Sequence, residues 1–306
     1  MQCARRRKYR TIIKPPCPKT SCSKKDEGHV VRFGKFPRIW DKARIQRYLC
    51  RFCKHTFSDS TGSADFRQHK PYFNIELIKW FASCGSQRRA AIHFGFNTKT
   101  PARKFVLLGK EAKRLNELHR KYFVENFERV SEMQFDEMES IEHTKLKPLS
   151  IPLVIDAETR RILGFEVCKM PSKGLLAHKS RKKYGFRADE RNAAMRSLFE
   201  KVSPLISPTA KIVSDSCPRY AAHVRKHFPS AQYRQVISRA GCISGQGELK
   251  KIGRDPLFML NHTAAMIRAN VNRMFRRTWC TTKKAVSLSY HLEIYALYHN
   301  TVLIAA

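Results

Sequence analysis

Gln134-Phe135-Asp136-Glu137-Met138-Glu139-Ser140 sets three acids within six residues of a chain otherwise poor in acid. Apolar runs follow it, Leu149 to Ile155 and Ile162 to Val167. A later run, Ile212-Val213-Ser214-Asp215, ends on a single aspartate. Carboxylates at the ends of buried strands suit divalent cations, which take oxygen ligands. In so basic a chain they point to metal chemistry beside a polyanion.

The charge balance indicates which polyanion. Sixty Lys and Arg against 25 Asp and Glu give a formal net charge of +35. Each phosphate neutralised by such a surface releases condensed counterions, so nucleic acid is the expected partner. An anionic membrane is the rival, but no long basic amphipathic helix stands out. No run nears the roughly 18 apolar residues of a bilayer span. The dense opening Arg5-Arg6-Arg7-Lys8-Tyr9-Arg10 has no apolar stretch behind it and does not read as a secretory signal. The expected location is cytoplasmic, on the nucleoid of a bacterial host.

A chain of 306 residues has room for several domains. Residues 1–14 read as a basic arm and 15–60 as a zinc ribbon. Of the ten cysteines, Cys17, Cys22, Cys50 and Cys53 form two close pairs. In an intracellular chain such pairs indicate metal rather than disulfide. Tetrahedral zinc takes four soft ligands from two tight turns, and so small a segment needs the ion to fold. His29 and His55 are possible substitute ligands.

Residues 72–124 change to helical periodicity. Ile75, Leu77, Ile78, Trp80 and Phe81 fit one apolar face. Ser86 to Gly95 reads as a short capped helix stopped by glycine, and Asn97 or Thr98 caps the next. Helix, glycine turn and basic helix make a helix-turn-helix pattern. Arg88, Arg89, Thr98, Lys99, Thr100, Arg103 and Lys104 are its candidate DNA contacts, and Lys110 to Val124 reads as a linker helix.

Residues 128–302 read as an α/β domain. Three strands with tight connections make an antiparallel meander. Then come a basic segment, a helix, the strand ending at Asp215, a helix, a possible strand and C-terminal helices, the last of them amphipathic. That order describes an RNase H-like sheet, in which the first and fourth strands lie side by side. Asp136 and Asp215, 79 positions apart, are then expected to meet.

Residues 15 to 300 resemble the DDE-class insertion-sequence transposases with an N-terminal zinc ribbon and helix-turn-helix, the group typified by insertion sequence one. The matching pieces include Arg47-Tyr48-Leu49-Cys50-Arg51-Phe52-Cys53 and Asp136-Glu137-Met138-Glu139-Ser140. Others are Ser214-Asp215-Ser216-Cys217-Pro218-Arg219-Tyr220, Arg276 to Lys284, and Tyr298-His299-Asn300. The resemblance implies a multidomain enzyme that binds the terminal inverted repeats of an element. It implies cleavage and rejoining of double-stranded DNA with two magnesium or manganese ions, structural zinc, and a homodimer or higher assembly in synapsis. Asp136 and Asp215 would be the metal ligands.

The third ligand departs from the family. Its members usually carry Glu seven residues before a basic residue; counting back from Arg268 gives Asn261. Glu248 is the alternative and Asp255 a weaker one. Arg268, Lys283 and Lys284 are candidate phosphate contacts. Two other readings share the pattern, a catalytically inactive DNA-binding regulator and a structure-specific nuclease or resolvase.

Overall fold

The structure, a computed structural model, describes residues 14–39, 41–63, 66, 68–237, 255–275 and 280–304. It divides into two compact units, residues 1–73 and 74–306.

In the first unit β1 (Val30–Pro37), β2 (Arg44–Cys50) and β3 (Thr56–Ser58) form an antiparallel sheet in that order. Its core is Val30, Tyr48 and Phe57 packed against four cysteines. The Tyr48 and Phe57 rings stack at 5.4 Å, and the Tyr48 hydroxyl donates to Asp59.

The second unit holds a mixed sheet built of β6 (Ile162–Phe165), β5 (Pro148–Asp156), β4 (Val130–Ile141), β8 (Ile206–Asp215) and β9 (Gln232–Val236), in that order. The two-residue β7 (Cys168–Lys169) lies beside β5. The meander β4-β5-β6 is antiparallel, as its tight connections predict. Parallel β8 and β9 extend the other side of β4. β5 is buried at every residue, which explains why it reads as an unbroken apolar run.

One face packs Met133, Phe135 and Val154 against Leu198 and Phe199 of α5 (Arg191–Val202) and Tyr220 of α6 (Tyr220–His227). The other presents Met138, Ile151 and Leu153 to Ile267 of α7 (Phe258–Asn270) and Leu292 and Tyr295 of α8 (Ala285–Tyr298). The C-terminal segment reaches the edge of the sheet. The Asn300 amide accepts from Ile162 N and donates to Ile162 O, and His299 meets Arg160 O.

α1 (Asn74–Ala82) precedes α2 (Gln87–His93) and α3 (Lys99–Asn126), and the last two have the predicted caps. Ser86 Oγ accepts from Arg89 N, Asn97 Oδ1 accepts from Lys99 N, and Gly95 takes a left-handed φ of 62°. Two expectations need correction. The charged helix after Lys110 is no separate linker: α3 runs unbroken for 28 residues and packs on α8. α8 is not amphipathic, because every residue from His291 to Leu297 is buried. A helix covered on all sides has no solvent face to encode. α3 crosses α8 closely where Gly109 meets Tyr290; a Cβ on Gly109 would lie 2.4 Å from Tyr290 Cβ. Buried Asn116 of α3 donates to Glu293 of α8. The basic segment after β7 contains α4 (Leu176–Tyr184), a helix its polar sequence did not announce.

Candidate active site

Asp136 and Asp215 stand on neighbouring parallel strands. The ladder between β4 and β8 ends on the pair Phe135 and Ser214, so the next residue on each strand is an aspartate. Burial raises the Asp136 carboxyl to about 6, and the negative charge of Asp215 adds to the rise. An acid held up by a second acid is a site short of positive charge, which a divalent cation supplies.

Neighbouring groups hold the pair in place. Tyr220 donates its hydroxyl to Asp136 Oδ1 at 3.2 Å, and the backbone N–H of Glu137 donates to the same oxygen. The Cys217 N–H donates to Asp215 Oδ1. Glu137 turns to other partners, accepting from Arg219 at 2.9 Å and from Ser150. Glu139 pairs with Lys173 and Glu142 with Arg187. Of the opening cluster, only Asp136 faces Asp215.

Asn261 lies in the first turn of α7. Gln134, two residues before Asp136 and so on the same face of β4, ties that turn to the strand. Its amide donates to Pro256 O and accepts from Leu260 N. Asn261 is exposed, and its amide nitrogen donates to Asp255 Oδ2 at 2.8 Å. Asp255 Oδ1 accepts from Leu257 N, so Asp255 braces the start of the helix. Glu248 lies outside the described residues, as do Cys3, Cys242 and the basic arm before Lys14. Sequence reasoning missed Gln134, Tyr220 and Arg219 as site residues. Their signal was position alone, inside the acidic stretch and just past Asp215.

The four paired cysteines come together. Cys17 Sγ and Cys53 Sγ lie 3.6 Å apart, Cys22 and Cys50 4.0 Å, and all four sulfurs fall within 4.8 Å of one another. A tetrahedral zinc with bonds of about 2.3 Å sets its sulfurs about 3.8 Å apart, so the residues fit the ion. Backbone N–H groups, that of Cys53 foremost, draw the Cys50 thiol down to about 7, while burial pushes Cys17 up to about 12 and raises Cys22, so the fit to zinc rests on the sulfur geometry. His29 instead meets Glu27. Among the described residues this is the one group of three or more Cys, His, Asp or Glu with ligand atoms in mutual reach.

Of the candidate DNA contacts, Arg88, Arg89, Thr98, Lys99, Arg103, Lys283 and Lys284 are exposed, and Thr100 and Arg268 are half-buried. Lys104 departs from expectation. It is 6% exposed, and its ammonium donates to Asn74 Oδ1 at 2.7 Å, joining α3 to the start of α1. Helical periodicity turns it inward one step from Arg103.

No family model and no curated protein sequence matches the chain. Among solved structures, the catalytic domain of the Mos1 mariner transposase is 14% identical, with a TM-score of 0.25, covering 63% of this chain and 89% of that one. A pre-cleavage Mos1 transpososome is 8% identical, with a TM-score of 0.22, covering 78% and 81%. At such distances the functional reading rests on this chain's own residues. What they define is a mixed α/β sheet with one carboxylate in the middle of β4, not at its end as the sequence suggested, beside a second at the end of β8, preceded in the chain by a four-cysteine module.

Proposed function

We propose that the chain is a metal-dependent DNA transposase of the DDE type, with Asn261 in the third position. The observation that carries this is the juxtaposition of Asp136 and Asp215 at equivalent register on neighbouring parallel strands. The strand order, with a meander joined to parallel β8 and β9, is that of an RNase H-like catalytic domain.

Asp136 and Asp215 would hold a divalent cation, which when bound would supply positive charge to an in-line displacement at phosphorus. Asn261 offers a neutral amide oxygen from α7. Tyr220 and the Cys217 N–H fix the carboxylate orientations before substrate arrives, so little reorganisation remains. The exposed arginines and lysines of α2 and α3 suit element-end recognition, with the cysteine module as an added DNA-binding element. Synapsis of two ends implies a dimer or larger assembly.

The test is nicking and strand transfer on DNA carrying the element's own ends. The wild type cleaves only with magnesium or manganese, while Asp136→Asn and Asp215→Asn bind the ends and do not cleave. Cleavage by either variant would sink the assignment. Binding without cleavage by the wild type would make the chain a DNA-binding regulator, and cleavage without joined products a nuclease or resolvase.

A further inference from the structure

The sheet of the first unit has one face turned to the cysteines and one turned away. Tyr48 and Cys50 are buried on the inner face of β2, so alternation places Ile45, Arg47 and Leu49 on the outer one. Cross-strand partners share a face, which adds Val31 opposite Leu49 and Phe36 opposite Ile45. Phe33, two residues from Val31, lies there too, and the Arg47 guanidinium stands 5.5 Å from its ring centre. Phe33 is 48% exposed and Phe36 37% exposed.

A bulge gives this face its second ring. Three steps along β1, from Arg32 to Lys35, oppose two along β2, from Tyr48 to Gln46. Gly34 sits within the bulge at a left-handed φ of 80°, and its carbonyl accepts from Gln46 Nε2 at 2.7 Å. In an unbroken strand Phe33 and Phe36 would point to opposite faces. The extra residue brings both to the same one, and bulges commonly re-aim side chains in this way.

The chemistry of the face selects its partner. Phenylalanine rings neither donate nor accept conventional hydrogen bonds, so their match is another flat π surface. The surroundings are cationic. Residues 15–60 carry eleven Lys and Arg against four Asp and Glu, and Arg32, Lys35, Arg44 and Arg47 are exposed along the two strands. Rings set among cations make the stacking platform and charged track that hold unpaired nucleic acid. A duplex keeps its base faces stacked on one another, whereas an unpaired strand offers them. We propose that the outer face of β1 and β2 binds an unpaired DNA strand, with bases stacked on Phe33 and Phe36 and phosphates drawn to Arg47 and its neighbours. This rests on the reading of the cysteine module as a DNA-binding element and is independent of Asp136 and Asp215. It gives the module a ligand distinct from the duplex that α2 and α3 suit.

The test uses the full zinc-loaded chain without magnesium or manganese, so DNA is bound and not cut. Affinities for a labelled single strand and for its duplex are measured at raised salt, where phosphate contacts weaken. Phe33→Ala and Phe36→Ala are each expected to lower single-strand affinity about tenfold and to leave duplex affinity unchanged. Both rings are exposed, and an unchanged zinc content verifies that the variants fold. Arg47→Ala lowers the single-strand salt slope by about 0.7. Phe33→Trp retains the affinity, and its added fluorescence is quenched as a base stacks on it. An unchanged single-strand affinity in either alanine variant, an equal loss for the duplex, or an unquenched tryptophan overturns the proposal and leaves the transposase reading in place. So does an effect of the variants on self-association alone, or an RNA strand held more tightly than the same DNA strand. Failure of the wild type to bind DNA in either form overturns both.

Discussion

The hydroxyl of Tyr220 lies 3.2 Å from Oδ1 of Asp136, so a phenol from α6 reaches the middle of β4 to hold a carboxylate. The bond favours the ionised acid and opposes the rise that burial and Asp215 impose. Tyr220→Phe should move the acid limb of metal-dependent cleavage to higher pH and slow turnover about tenfold, as for one lost hydrogen bond to a charged group. The pH–rate profile checks this. An unchanged profile would show that the tyrosine only fills space.

The cysteine module should depend on its ion. A core of three apolar side chains around four thiols is too small to fold unaided. Cys50→Ser, or a strong chelator, should unfold residues 15–60 and leave the second unit's cooperative transition in place. Zinc content and limited proteolysis report the two effects separately.

Neighbouring residues on α3 should behave oppositely. Arg103 is exposed, and Arg103→Ala should reduce the salt slope of DNA binding by about one. Lys104 is buried against Asn74, so Lys104→Met should leave that slope unchanged and cost roughly 1–3 kcal/mol of stability. Binding titrations across salt, paired with denaturant unfolding, distinguish them.

His291 should make the second unit acid-labile. Burial holds its pKa down to about 4, below the ordinary 6.5. A depressed folded-state value means a contribution fully present above about 6.5 and lost as pH falls toward 4, roughly 3 kcal/mol in all. Asp136 acts in the opposite sense, since its raised pKa favours the fold as pH drops. The difference in Tm between the wild type and His291→Gln isolates the histidine. That difference should shrink, or reverse, between pH 7 and pH 5 in phosphate-free buffer.

Gly109→Ala should separate α3 from α8. The new methyl would meet Tyr290 Cβ at 2.4 Å and its Cα at 3.1 Å, atoms fixed to the helix backbone. Overpacking of this kind costs about 1–3 kcal/mol, and urea unfolding measures it.

Much of this architecture is legible because strands and caps write local signals. The alternation around Asp136, the apolar run of β5 and the Ser86 cap each correspond to an element. The adjacency of Asp136 and Asp215 is legible too, because the order of elements limits how a parallel strand returns beside the first. What escapes is set by distant packing. Lys104 reads as a phosphate contact until Asn74 folds onto it, and α8 reads as amphipathic until α1, α3 and the sheet surround it. Gln134 docks α7 through residues more than 120 positions away, a separation that no local pattern encodes.

Asn300 has a wider consequence. Its amide occupies both backbone groups of Ile162, and His299 takes the carbonyl of Arg160. A side chain there does what a seventh strand would do, so that flank of the sheet is plugged by the chain's own tail. An incoming strand finds the docking groups of Ile162 already taken, which disfavours pairing of copies along this border. A multimer that brings two DNA ends together is then favoured through side-chain surfaces or the opposite flank at β9. Asn300→Ala would unplug the border and invite self-association unrelated to DNA.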